Sequence, residues 1–158
     1  MKLKKIISVI TALSITAALC ISLSGCGEKK TNYKVGICQL VQHDALDAAT
    51  KGFKDALTEK LGDKVTFDEQ NAAGEPATCT TIVNQFVSSK VDLIFANATG
   101  ALQAAVSATD SIPIVGTSIT DYATALEMSD WNGKTGINVT GTSDLAPLED
   151  QAKMIKEL

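Results

Sequence analysis

The sequence of 158 residues contains no arginine, and its 14 lysines are outnumbered by 18 acidic residues. The formal net charge at pH 7 is −4, and the chain has no basic patch beyond its first five residues. Binding to nucleic-acid phosphates needs clustered cations. The composition therefore predicts a protein without a nucleic-acid partner.

The sequence is also poor in the side chains and motifs that carry catalysis or hold cofactors. It has a single histidine, His43, and no C-x-x-C pair, so a metal site would lack ligands. No G-x-S-x-G nucleophile motif occurs, and neither glycine-rich nucleotide fingerprint is found. We therefore predict no enzyme activity, no catalytic residues and no cofactor.

Aromatic residues make up only 4% of the chain, but the hydrophobic fraction is 45%, enough for the core of one domain of ordinary size. Two of the four cysteines, Cys38 and Cys79, fall in apolar patterns outside the leader. Free cysteine is among the most often buried residue types, so both are predicted to be small core residues. A disulfide or a reactive thiol is the alternative.

The chain begins with MKLKK and continues with the apolar run IISVITALSITAALCIS, as secretion signals do. The run ends in Leu23-Ser24-Gly25-Cys26, the pattern of bacterial lipoproteins. We predict a signal peptide over residues 1–25, a lipid on Cys26 and a linker over 26–32. The protein would then be anchored on the extracytoplasmic face of the cell membrane. An uncleaved membrane helix is the alternative, although the run is short and rich in Ser and Thr.

From Tyr33 onward, strand-like and helix-like segments alternate. The strand-like segments are YKVGICQLV, DKVTFDEQ, VDLIFA, SIPIVGT and GINVT, the last of which spans Gly136–Thr140. The first helix is predicted to start with Asp44 as N-cap and to stop at Gly62, and the second to start near Glu75-Pro76. Apolar strands that alternate with helices indicate an α/β fold with a doubly wound parallel sheet.

Ligands of such sheets bind beyond the carboxyl ends of the strands, where helix N-termini present free N–H groups. In this sequence those ends carry small hydroxylated or amide residues, which suits hydrogen bonding to a compact polar ligand, for example a carboxylate. Such residues also cap helices and form turns, so each one has an alternative role. Tyr122 and Trp131 are predicted in a surface loop between the fourth and fifth strands, and stacking on a ligand is the alternative for either residue.

Four segments carry a resemblance to a known family. KVGICQLVQHDALDAATKGFKDAL, FANATG, PIVGTSITD and INVTGTSDL occur in an order and spacing that resemble the substrate-binding lipoproteins of ABC importers. The tryptophan- and tyrosine-linked members of that family have a type I periplasmic-binding fold. One departure is Asp44, where family members commonly carry proline. The predicted ligand-binding residues are Gln39, His43, Asn97, Thr99, Thr117, Ser118, Asp121 and Ser143.

The resemblance implies two similar lobes that close around a ligand. Residues 33–144 would form the first lobe and residues 145–158 the start of a second lobe, whose sheet is missing. An interrupted chain is the preferred interpretation, and a natural single-lobe binder is the alternative. An aromatic amino acid is the implied ligand, with a sugar or a purine still open. The implied partner is an ABC permease, and a sensory lipoprotein that presents its ligand to a membrane receptor or kinase is the alternative function.

Overall fold

A computed structural model describes residues 32–157 of the protein. The predicted signal peptide and Cys26 lie outside the described residues. The strands are β1 (Tyr33–Gln39), β2 (Val65–Asn71), β3 (Leu93–Asn97), β4 (Ile114–Ile119) and β5 (Val139–Ser143). The α-helices are α1 (Asp44–Leu61), α2 (Pro76–Ser88), α3 (Thr99–Ala108), α4 (Tyr122–Ala125) and α5 (Leu148–Glu157), and a 3-10 turn spans Gly62–Lys64.

The five strands form one parallel sheet in the order β2-β1-β3-β4-β5. Helix α1 packs on one face, where Phe53 stacks on Phe95 with ring centroids 3.9 Å apart. Helices α2 and α3 cover the other face, and Phe86 and Leu102 are fully buried there. Because helices cover both faces of a parallel sheet, the predicted α/β doubly wound fold is confirmed.

The N-cap of the first helix lies one residue earlier than the sequence predicts. The N-cap is His43, whose ring Nδ1 accepts a hydrogen bond from Ala45 N at 3.2 Å. Asp44 is the first helical residue, so its prediction as N-cap is wrong, but its carboxylate still lies in the first turn, where the helix dipole favours negative charge. The helix ends before Gly62, as predicted, and Gly62 has a φ of 57° that suits glycine.

The second helix begins at Pro76, as predicted, and buries Cys79, Ile82, Val83 and Phe86. Cys38 in β1 and Cys79 in α2 are both fully buried and free. Both therefore behave as the small core residues that the sequence predicts. Burial, which disfavours the thiolate, is the main cause that raises the pKa of each thiol above its ordinary value.

The fifth strand lies at Val139–Ser143 and not at Gly136–Thr140, so the predicted boundaries are wrong by about three residues. The reason is that its pairing is set by β4, from Ile114 opposite Val139 to Ile119 opposite Ser143, with a register shift between Gly116 and Ile119. The apolar side chain of Ile137, which suggested an earlier strand, is 51% exposed.

The last helix, α5, falls in the segment predicted to start a second lobe. Every described residue of α5 is exposed, including Leu148 and Ile155. The apolar side chains of α5 are therefore not buried against the core formed by the rest of residues 32–157. In that same part of the chain, no helix combines the length and apolar character that crossing a membrane requires.

Candidate functional site

The carboxyl ends of four strands bring polar side chains into one row. Gln39 in β1 is in register with Asn71 in β2 and with Asn97 in β3, and Asn97 is in register with Thr117 in β4. Because the strands are parallel, these residues share one edge of the sheet. Three predicted ligand-binding residues, Gln39, Asn97 and Thr117, are thus neighbours, as the strand-end argument expects.

Two of these side chains are not open to solvent. Gln39 is 4% exposed and Asn97 is fully buried, and both bond to Thr50 of α1. The Thr50 hydroxyl donates to Gln39 Oε1 at 2.7 Å and accepts from Asn97 Nδ2 at 3.0 Å. Thr50 was not identified from the sequence, because a threonine inside a helix carries no local signal of a buried partner. This placement favours a supporting role for Gln39 and Asn97 beneath the sheet edge.

His43 and Asp121 both act as helix caps. His43 is exposed and caps α1. Asp121 caps α4 through Oδ1, which accepts from Ala123 N at 3.0 Å, and its Oδ2 accepts from the Thr124 hydroxyl at 2.6 Å. That hydroxyl bond is the main reason why the pKa of the Asp121 carboxyl lies below its ordinary value. Each cap stands at the start of a helix next to the sheet edge, and each side chain remains exposed.

Thr117, Ser118 and Ser143 lie where β4 and β5 run side by side. Thr117 and Thr142 have their hydroxyl oxygens 3.3 Å apart. Ser118 has a φ of 56° within the register shift between the two strands, a left-handed conformation that is uncommon for serine. Ser143 donates its hydroxyl hydrogen to Thr120 O at 3.0 Å. Bulges of this kind re-aim side chains and are over-represented beside functional sites.

Thr99 is the first residue of α3 and is partly exposed. The preceding residue, Ala98, has a φ of 86°, and its carbonyl oxygen accepts from both Ala101 N and Leu102 N. The first turn of α3 carries no acidic residue. A helix start attracts negative charge through its dipole and its unpaired N–H groups, so this end of α3 is suited to an anionic group.

A hollow of about 440 Å³ opens beside β5. Its lining includes Tyr122, Trp131, Lys134 and Ser143, and of the predicted ligand-binding residues Ser143 alone belongs to it. Tyr122 is only 7% exposed and donates its hydroxyl hydrogen to Thr142 O at 3.3 Å. The prediction of a surface loop is therefore wrong for Tyr122, because its ring fills space that Gly116 and Gly141 leave open.

The chemistry of this edge is mainly hydrogen bonding by neutral groups, and the exposed Asp121 carboxylate lies beside them. The predicted residues at the strand ends carry hydroxyls and amides, and residues 32–157 contain no group of three or more His, Cys, Asp or Glu that could hold a metal ion. Such an edge can orient a compact polar molecule by hydrogen bonds and by the helix dipole of α3.

The sequence of this chain is similar to those of known binding proteins. Residues 34–158 match the family model described as ABC transporter substrate binding protein. The chain is 39% identical to the tyrosine-binding protein of Clostridioides difficile strain R20291, over 99% of this chain and 49% of the relative. It thus spans about half the length of the curated relative that it matches.

The fold of this chain is also similar to those of solved structures. A conserved domain protein from Vibrio cholerae matches with a TM-score of 0.74 and 42% identity, over 80% of this chain and 43% of that one. An ABC domain in complex with L-Trp from Streptococcus pneumonia matches with a TM-score of 0.74 and 38% identity, over the same shares. The matched family consists of solute-binding proteins and not of enzymes, which confirms the prediction that this chain is not an enzyme.

Proposed function

Because this chain belongs to the ABC transporter substrate-binding proteins, we propose that it forms one ligand-binding lobe of the receptor of an importer. The observation that carries this proposal is the group of hydroxyl side chains Thr117, Ser118 and Ser143 at the carboxyl edge of the parallel sheet, next to the start of α3. Its transport partner would be the ABC permease of the same importer.

The ligand proposed for this edge is an amino acid, and an aromatic one is the first to test. A carboxylate would lie at the start of α3, near Thr99, and hydroxyls of Thr117, Ser118 and Ser143 would bond to its polar end. The relative from Clostridioides difficile is named for tyrosine, and the relative from Streptococcus pneumonia was solved with L-Trp. Both names support the choice of an aromatic amino acid as first test ligand.

The test is a binding comparison in a chain extended by the second half of the Clostridioides difficile relative. We expect this extended chain to bind L-tyrosine or L-tryptophan, and Thr117→Ala and Ser118→Ala each to weaken binding by about 1–3 kcal/mol through the loss of a hydrogen bond. Thr58→Ala, on an exposed position of α1, is the matched control and should bind as the parent does. Unchanged affinity in both edge variants would reject the proposed site.

We further propose that the protein is held at the extracytoplasmic face of the cell membrane by a lipid on Cys26. The support is the sequence Leu23-Ser24-Gly25-Cys26 behind a lysine-led apolar run. A lipid chain gains about 0.8 kcal/mol of membrane affinity per buried methylene, so Cys26→Ala should release the protein from membranes or leave it unprocessed. A variant that is processed normally and still sediments with membranes would refute the anchor.

A further inference from the structure

Gln39, Thr50 and Asn97 form a buried polar cluster between the sheet and α1. All three residues are at most 4% exposed. Thr50 stands in the middle, because its single hydroxyl donates to one amide side chain and accepts from the other. These two bonds link three elements, because Thr50 lies in α1, Gln39 ends β1 and Asn97 ends β3.

The polar cluster also holds both ends of the loop that joins β1 to α1. At the β1 end, Gln39 Nε2 donates to Val41 O at 3.0 Å. At the helix end, the same Nε2 donates to Asp47 Oδ1 at 2.5 Å, and Asn97 Nδ2 donates to Leu46 O at 2.8 Å. The loop and the first turn of α1 are therefore fixed by buried donors and not by apolar contacts alone.

This arrangement is costly to bury, which indicates that packing is not its sole role. Asn97 Oδ1 is buried and has no hydrogen-bond partner among the described residues. A buried acceptor without a partner is destabilising, and apolar residues of similar shape could fill such a space without that cost. An apolar substitute would, however, give no direction to the carbonyl groups of Val41 and Leu46. The donors of the polar cluster are satisfied, and each of them fixes the direction of a group in the loop or in the first turn of α1.

We propose that Thr50 is a positioning residue that, through Gln39 and Asn97, sets the geometry of the β1–α1 loop and holds His43 at the ligand edge. Thr50 itself does not touch the ligand. Gln39 and Asn97 then act from below the site and are not ligand contacts. The consequence for ligand affinity rests on the proposed function, whereas the consequence for the loop does not.

The test compares Thr50→Val, which keeps the shape and removes the hydroxyl, with Thr50→Ser, which keeps the hydroxyl. Thr58→Val is the matched control, since Thr58 lies on the same helix but is exposed. The measurement is amide hydrogen exchange on the full chain. The most direct probe is Asp47 N–H, which bonds His43 O in the first turn of α1.

We expect Thr50→Val to speed exchange across residues 44–48 at least tenfold while residues 54–61 of the same helix change less than twofold. Thr50→Ser should restore slow exchange, and Thr58→Val should match the parent. Asp47→Ala, which removes the acceptor of Gln39 Nε2 in the first turn of α1, provides a second variant if Thr50→Val does not fold, and it should speed exchange in the same segment. Exchange that is unchanged in residues 44–48, or that rises equally along the whole chain, would overturn the proposal.

A second measurement follows amide shifts during titration with L-tryptophan, with parent and variants both prepared in the chain extended by the second half of the Clostridioides difficile relative. If the parent binds, Thr50→Val should weaken binding at least tenfold and Thr50→Ser should not. Equal binding by the parent and Thr50→Val would overturn the link between loop geometry and affinity. If the parent shows no binding-dependent shifts at all, the proposed function fails, and the exchange comparison still decides whether Thr50 positions the loop.

Discussion

Gly141 is a single position on which the edge of the sheet depends. A Cβ at this position would overlap Gly116 O and the Tyr122 hydroxyl. Tyr122 uses that hydroxyl to bond Thr142 O in the next residue of β5. The absence of a side chain at Gly141 therefore lets a large aromatic ring pack against the last strand pair.

We expect Gly141→Ala to destabilise the fold by about 1–3 kcal/mol, because the overlap involves backbone that cannot move aside easily. Urea unfolding measures this loss. Gly52→Ala is the matched control, since a Cβ there meets nothing within 4 Å and lies inside α1, where alanine is favoured over glycine by up to about 1 kcal/mol. Equal midpoints for Gly141→Ala and the parent would contradict the packing of Tyr122.

The buried thiols Cys38 and Cys79 should lower the free energy of unfolding as the pH rises into the alkaline range. Burial raises the pKa of both thiols, so they stay protonated in the fold when the unfolded thiols ionise near their ordinary pKa of 9.0. Above that pH the folded state holds more protons than the unfolded state, and stability falls as pH rises. Their contribution is thus fully present below pH 9 and is lost progressively above it.

This pH dependence can be separated from that of other groups by a double variant, Cys38→Ala with Cys79→Ala. We expect the free energy of unfolding of the parent to fall more steeply between pH 8 and about pH 10.5 than that of the variant. Urea titrations at several pH values give both slopes. Parallel slopes would show that the thiols ionise as readily in the fold as in the unfolded chain.

The sequence identifies the residue types at the site but not their burial. Asn97 and Thr117 are both polar residues at strand ends, yet Asn97 is fully buried under α1 and Thr117 is partly exposed. The difference arises from Thr50, which is distant in sequence and supplies the hydrogen bonds that Asn97 needs inside the core. Long-range partners of this kind leave no local pattern.

At the scale of elements, strands β1, β3 and β4 were predictable because they are central and their apolar runs are buried on both faces. Strand β5 was placed too early, since Val139 is its one buried residue and its register comes from backbone pairing with β4. The four-residue helix α4 was missed, because its start depends on the Asp121 cap more than on an apolar stripe.

Helix α5 is the element whose stability is most easily tested. Its ten residues are all exposed, and isolated helices of this length are marginal in water. We expect fast amide exchange over Ala152–Glu157 and an unchanged unfolding midpoint when residues 145–158 are deleted. Strong exchange protection in this helix, or a clear loss of stability on deletion, would indicate that it packs on the rest of the chain.

At the scale of the whole molecule, the sheet edge offers hydrogen bonds from one side. Well-formed sites for small molecules cover about 70–90% of the ligand surface, and the proposed contacts Thr117, Ser118 and Ser143 lie along one edge of one sheet. A micromolar ligand has about −8 kcal/mol of binding free energy, and about half of that corresponds to millimolar affinity or weaker. One lobe alone should therefore bind weakly.

The most direct test of a ligand site at this edge is a titration of the chain with L-tryptophan up to its solubility limit, followed by amide shifts. Shifts should concentrate at Thr99, Thr117, Ser118 and Ser143, and the binding curve should remain far from saturation at micromolar concentrations. Saturation at micromolar concentrations would show that one lobe is a complete receptor. Shifts that leave the strand ends unchanged would show that the ligand site lies elsewhere.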